Sequence, residues 1–504
     1  MADTEDALSD APVVLAFLDA FWALASTESE DRAVAAASLA AHAGATPAAI
    51  AAGAKATAKD SDDEGDEEEG ESEGFGSDDD SGDEGKPAKG DGGASQQQQH
   101  TYAVKRLVRG LCSSRGGARQ GFASGLSLVL GHTTEAQVGM GPLLAALEEE
   151  TALAAGMRGQ EERDLLLGRL FGLAAIARHA RDAAAAAASA SAGSACGRGT
   201  LDRVVASHVL VLLVELFGKR RWLREATVAA INDLVAAACA SDPAFACDTL
   251  LPLLAPLLAD VAAKNYSAEH LALALVVGRA LGDCSEAGKG KAKGAQAAAA
   301  LEAAALFPRH AWPVGMGGAG EADASDVESA EDAAAADGVV GAASPSLPRM
   351  LLPSAVDALE EPFKAATGTF PRLHLAFELA LDALAATTAS TSAGASAGAS
   401  GAAGALWGGA VGEALRGGSH QMKGMALALL PELAARLAPA EVSGVCLGPS
   451  TLRLLLNSTA KQGNVLCLHA RACLDKLAGK RQTDSAWRLT VAIALMARDD
   501  QATR

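Results

Sequence analysis

Lys105, Arg106, Arg109, Arg115 and Arg119 form the densest group of basic residues that falls on expected helices. Side chains of this kind neutralise phosphate or carboxylate, lysine as a point charge and arginine through a planar fork that can bond two oxygens at once. Lys219, Arg220, Arg221 and Arg224 form a second group. Each group has two readings. One is a surface that contacts nucleic-acid phosphate or an acidic partner; the other is a set of guanidinium groups that end helices and tie neighbouring helices by ion pairs. Neither implies sequence-specific base readout.

Residue patterns for other chemistry are thin. Eight cysteines include no CxxC pair, and the offsets of Cys467, His469 and Cys473 do not put all three on one helical face, so reduced thiols and no metal are expected. His179, His374 and His469 read as packing or capping residues. Ser419 and His420 are adjacent rather than a nucleophile and base across a cleft, and no GxSxG accompanies them. GKGKAKG at Gly288 to Gly294 lacks the spacing of a phosphate loop and a preceding strand. Two-metal polymerisation needs carboxylates fixed a few ångströms apart, whereas the densest aspartates here lie in a low-complexity run. A chain without enzymatic activity or cofactor is expected.

That run sets the charge. The formal net charge is −20, yet Asp60 to Glu84 alone holds 15 acids without an intervening base. Without them 47 acids face 42 Lys and Arg, about −5 for the remainder. A self-repelling run cannot repay ordering entropy, so a solvated, disordered insertion is expected, serving solubility and spacing or attracting basic proteins such as histones or ribosomal proteins. Ser61, Ser77 and Ser81 each have an acid three residues on, so acidophilic phosphorylation could deepen the charge.

The elements that must position these groups read as helices. Val104, Leu107, Val108 and Leu111 fall at i, i+3, i+4 and i+7, with Lys105, Arg106 and Arg109 projecting largely away from that apolar face. Gly110 suits a helix end, so Cys112 to Gly117 is expected to turn into a second helix carrying Arg119, Phe122, Leu126 and Leu130. Alanine inflates the 49% hydrophobic fraction while aromatics are only 4%, which favours helix but offers little area to bury. Strand-like alternation is nearly absent.

The expected architecture is all-α, a HEAT/armadillo-like α-solenoid with disordered acidic and Ala/Gly/Ser-rich insertions. Its parts are an N-terminal helical repeat at 1–52, with a long helical region from Pro12 to Ala43; an acidic and Gln-rich insertion at 53–100; helical solenoid at 101–284; a low-complexity linker at 285–348; and continued solenoid at 349–504, interrupted by a linker at 387–404. The Ala-rich stretch from Ala183 to Gly199 reads as a spacer, and Ser485 to Ala497 as a last helix. Trp22, Phe171, Trp222, Phe245, Phe377 and Trp407 are expected to pin helix interfaces rather than stack on bases. His208 and Glu215 interrupt the apolar run Val204 to Phe217, which reads as a buried helix rather than a membrane span, and the acidic start MADTED does not read as a leader.

Several sequence words recur in one known family. Tyr102, Lys105, Arg106, Leu107, Arg109, Gly110, Leu111, Ser114, Arg115, Ala118, Arg119, Gly121 and Phe122 resemble the signature near the start of the Myb-binding protein 1A family, also called DNA polymerase phi or fifth DNA polymerase. Further likenesses follow in order: LGRLFGLAAI at Leu167 to Ile176, KRRWLRE at Lys219 to Glu225, FPRLHLAFE at Phe370 to Glu378 and the Ser-His-x-x-Lys helix from Ser419. Phe377 stands where tryptophan is commoner, and the acidic run lies earlier than is usual. The chain resembles the N-terminal half of such proteins. This resemblance implies a nuclear, nucleolar scaffold in ribosomal RNA transcription and ribosome biogenesis that also acts as a co-regulator of transcription, with ribosome-assembly and transcription proteins, and rDNA or RNA, as partners. A DNA polymerase, as the old name suggests, and a HEAT-like transport adaptor are the alternatives.

Overall fold

The computed structural model describes residues 15–43, 92–132, 139–189, 201–262, 267–287, 353–366, 372–389, 404, 406–436, 446–460 and 465–480. Among them the regular elements are helices, and no strand occurs. They divide into two compact units, Met1–Ala240 and Ser241–Arg504.

The first unit is built from helices in succession, the first six of which pack as consecutive pairs. α1 (Phe17–Ala23) and α2 (Ser29–His42) are followed by α3 (Gly92–Gly110) and α4 (Gly116–His132), then α5 (Met140–Glu150) and α6 (Gln160–Ser189). α7 (Arg203–Lys219) and α8 (Arg224–Ser241) come last, separated by the 3-10 turn Arg221–Leu223. α4 packs between α2 and α6, α3 against α4 and α5, and α7 against α5 and α6. The apolar face expected on α3 is where the packing occurs: Val104, Leu107, Val108 and Leu111 are buried, as are Leu126 and Leu130 of α4. Each such side chain contributes about 1.5–3 kcal/mol.

Two glycines let these pairs close. A Cβ on Gly110 would overlap the Phe122 ring, and one on Gly121 would overlap the Leu24 carbonyl. The first brings α3 and α4 together; the second seats the end of α1 on α4.

Two sequence boundaries shift, while the expected helical region Pro12 to Ala43 holds two helices within its described part, parted by a turn in which the Glu28 amide donates to Ser26 Oγ. α6 runs on to Ser189 through residues expected to be spacer, because alanine has the highest helix propensity and Ala180 and Ala184 pack with Ala237 and Leu201. α3 starts at Gly92 rather than after His100, its glutamine run being compatible with helix.

In the second unit a turn at Pro243–Phe245 and a π-helical turn at Ala246–Leu250 lead into α9 (Leu251–Ala262), then α10 (Ala268–Ala287), α11 (Pro353–Ala365) and α12 (Leu375–Ala389). A second π-helical turn at Trp407–Val411 opens α13 (Gly412–Gly417), followed by α14 (His420–Ala434), α15 (Pro449–Ala460) and α16 (Leu466–Lys480). α10 packs on α11 and α12, and α16 on α14 and α15. Phe363 and Phe377 meet edge to face, centroids 5.1 Å apart. Residues 241–284 were expected to continue the first helical block; they group instead with the helices beyond 352. The acidic run, Ser61, Ser77, Ser81, most of both linkers and Ser485 to Ala497 lie outside the described residues.

Candidate functional site

The basic group on α3 divides by direction. At about 100° per residue, Tyr102, Lys105, Arg106 and Arg109 share an arc of about 100° on the side opposite the buried face. Lys105 and Arg109 are exposed, and Arg106 is half-buried. The Arg106 guanidinium lies over three rings, 5.0 Å from the Phe21 centroid, 5.6 Å from Trp22 and 6.0 Å from Tyr102, and donates to Tyr102 Oη at 2.7 Å. Arg109 Nε donates to Glu150 Oε1 at 2.8 Å while its side chain stays 74% exposed, so the pair itself adds little stability. Arg115 is exposed in the turn between α3 and α4.

Arg119 does not share that surface, which corrects its place in the expected binding set. It is buried, its Nη1 donating to the carbonyls of Ser113 and Ser114 and pairing with Asp164 Oδ1 of α6 at 2.6 Å. Gln160 Nε2 gives Asp164 Oδ1 a second donor at 3.0 Å. Arg119 thus closes the turn of its own helix pair and ties it to the next.

Arg32 repeats this arrangement one pair earlier. Its Nη1 donates to the carbonyls of Ser26 and Thr27 at 3.0 and 2.6 Å, and its Nη2 reaches Gln120 Oε1 of α4 at 3.4 Å. The sequence carried the signal unread: Leu24, Ser26, Thr27 and Arg32 have the spacing of Leu111, Ser113, Ser114 and Arg119. Asp164 was missed because the acid of such a pair lies on a separate helix.

Arg220 and Arg224 of the second basic group hold parts of the unit together. Arg220 Nη2 bonds both carboxylate oxygens of Glu162 at 2.9 and 2.8 Å, and Arg224 donates to the Phe217 carbonyl at 3.3 Å beneath that residue's ring. Of the six large side chains expected at interfaces, Phe245, Phe377 and Trp407 are buried and Phe171 is half-buried. Trp22 and Trp222 are not: they are 71% and 48% exposed, each against an arginine, Arg106 and Arg163 respectively. Trp22 points outward from α1, whereas Ala20, Phe21 and Leu24 of the same segment are buried.

The family-like words do structural tasks. In α6, Gly168 admits Cys112 and the Leu111 carbonyl, Gly172 admits Leu147, and Arg169 bonds the Thr151 side chain and carbonyl at 3.0 and 2.9 Å, closing the end of α5. Ser419 caps α14 by accepting the Met422 amide at 3.3 Å, and the buried His469 packs against Gly424. His374 Nδ1 accepts the Ala376 amide at 3.1 Å while its Nε2 stands 3.9 Å from Glu269 Oε1. Burial opposes the Glu269 charge, but His374, Ser267 and its own amide outweigh burial and hold the carboxyl down at about 2. Its Oε2 is buried without a hydrogen-bond partner among the described residues. Burial pushes the thiols of Cys446 and Cys473 up to about 12, and burial with nearby Glu150 and Asp164 raises Cys112 to about 11. Among the described residues no group of three or more His, Cys, Asp or Glu could hold a metal ion, and no helix is long and apolar enough to cross a membrane.

Comparison with known proteins bears on the segment that carries these features. The family model described as DNA polymerase phi matches residues 102–298. The rDNA transcriptional regulator pol5 of Schizosaccharomyces pombe is 30% identical over 146 residues, 28% of this chain and 13% of that protein. The match therefore spans a small part of the relative's length. The likeness to the Myb-binding protein 1A and DNA polymerase phi family, first read from Tyr102, Lys105, Arg106 and the words after them, is thereby borne out over residues 102–298.

Proposed function

We propose that this chain is a nuclear, nucleolar scaffold without catalytic activity that supports rDNA transcription and ribosome biogenesis by binding proteins and nucleic acid. The observation that carries this reading is the likeness to a protein named rDNA transcriptional regulator, in a chain whose family-like words hold helices together. The repeated arginine closure at Arg32 and Arg119 supports an architecture of the HEAT or armadillo kind. Stacked pairs of that sort present long surfaces on which several partners can assemble. Lys105, Arg106, Arg109 and Arg115 are the surface groups we assign to phosphate or acidic partners. The acidic run is assigned to basic proteins, with phosphorylation at Ser61, Ser77 and Ser81 deepening its charge.

Affinity purification of the tagged protein, with and without nuclease, tests the reading together with its occupancy of rDNA by chromatin immunoprecipitation. Recovery of RNA polymerase I components and early ribosome-assembly factors is expected; a diffuse protein lacking both sets would refute it. The family description favours a second reading, template-directed DNA polymerisation. Primer extension by the purified chain, expected to give no product above a heat-inactivated control, separates the two.

A further inference from the structure

Trp22 is the most exposed aromatic among the described residues, and the packing of α1 does not require an indole there. Arg106 is already covered by the Phe21 ring and bonded to Tyr102, so a smaller residue at 22 would leave both contacts in place. What Trp22 adds is a large flat ring in water, backed on one side by a guanidinium. On the same side of α3, Tyr102 is 41% exposed, Lys105 is exposed, and Arg109, paired with Glu150 yet 74% exposed, lies one turn along. Aromatic faces and cations therefore lie together where α3 meets α1.

We propose that this surface binds single-stranded nucleic acid, with bases stacking on Trp22 and Tyr102 and phosphates neutralised by Lys105, Arg106 and Arg109. An unpaired strand presents a π face and a negative charge at every nucleotide, and so uses both halves of the surface. An acidic peptide would use the cations and leave the indole idle. A duplex keeps its base faces stacked against each other and out of reach. The inference deepens the binding role proposed above by naming a ligand class and a platform. It does not depend on rDNA: loss of rDNA occupancy in cells, with strand binding intact in vitro, would sink the functional reading and leave this one standing.

The test is fluorescence anisotropy of the full chain with labelled 12-nucleotide oligouridine, 12-nucleotide oligothymidine, a 12-base-pair duplex and a 12-residue polyglutamate. Both single strands are expected to bind more tightly than the duplex, and their ratio tells whether RNA or DNA is preferred. Trp22→Ala should weaken strand binding about tenfold or more, and Trp22→Phe should restore most of it, since stacking needs a ring rather than an indole. Lys105→Gln should flatten the dependence of log affinity on log salt by about 0.7, the contribution of one phosphate contact on a single strand. Both positions are solvent-exposed, and circular dichroism checks that the helices persist. Absence of strand binding would overturn the proposal, as would binding unchanged in Trp22→Ala and Lys105→Gln. Tighter binding of duplex, or polyglutamate binding that depends on Lys105 but not Trp22 while the strands fail, would overturn it too.

Discussion

Replacing Arg119 by methionine isolates the buried ion pair that ties α4 to α6. The substitution preserves much of the side chain's length while removing its charge and every donor. Asp164 then keeps Gln160 as its other side-chain donor, inside a site where the two charged side chains were only 10% and 9% exposed. The carbonyls of Ser113 and Ser114 lose their bonds at the same time. Stranding one member of a buried ion pair costs about 3–5 kcal/mol, most of it desolvation left uncompensated on the remaining charge. Arg32→Met provides the scale: it loses the equivalent two carbonyl bonds, but its side-chain partner Gln120 is neutral and exposed, so about 1–2 kcal/mol is expected. Urea unfolding of the full chain gives the total, and native-state hydrogen exchange of α4 and α6 amides places the loss where the contact lies. The double variant Arg119→Met with Asp164→Leu should recover part of the loss, because no buried charge remains. If the two single effects simply add, or if Arg119→Met costs no more than Arg32→Met, the tie between the helix pairs is not what stabilises this unit.

Three further outcomes follow from particular contacts. Glu269, with its carboxyl lowered from 4.5 to about 2, contributes stability that is present above pH 4.5 and is lost as pH falls toward about 2; Glu269→Gln should flatten unfolding-midpoint profiles across that window only. Gly121→Ala should lower stability by about 3 kcal/mol, since the new methyl meets the Leu24 backbone, whereas Gly110→Ala should cost less because the half-buried Phe122 ring can swing aside; urea midpoints compare them. With their thiols raised to about 12, Cys446 and Cys473 should resist iodoacetamide at pH 8 in the folded protein and react on denaturation, as read by peptide mass spectrometry.

Local pattern was enough for the helices and for the family words, because helical periodicity and glycine placement act within a few residues. The apolar stripe from Val104 to Leu111 and the turn after Gly110 appear in the structure where their spacing puts them. What spacing could not decide is which polar or aromatic side chain faces a partner, since that partner belongs to another helix. Arg119 and Arg115 are alike as sequence, yet Asp164, 45 residues beyond Arg119, draws one inward while the other stays in water. Trp22 and Trp407 both sit in apolar surroundings along the chain, but only Trp407 is covered by other residues. The same holds for the division at Ala240, which follows from α10 packing on helices more than 60 residues later. Sequence fixes how a helix is striped; tertiary contact decides which stripe is covered, because burial requires a second surface that the helix itself does not encode.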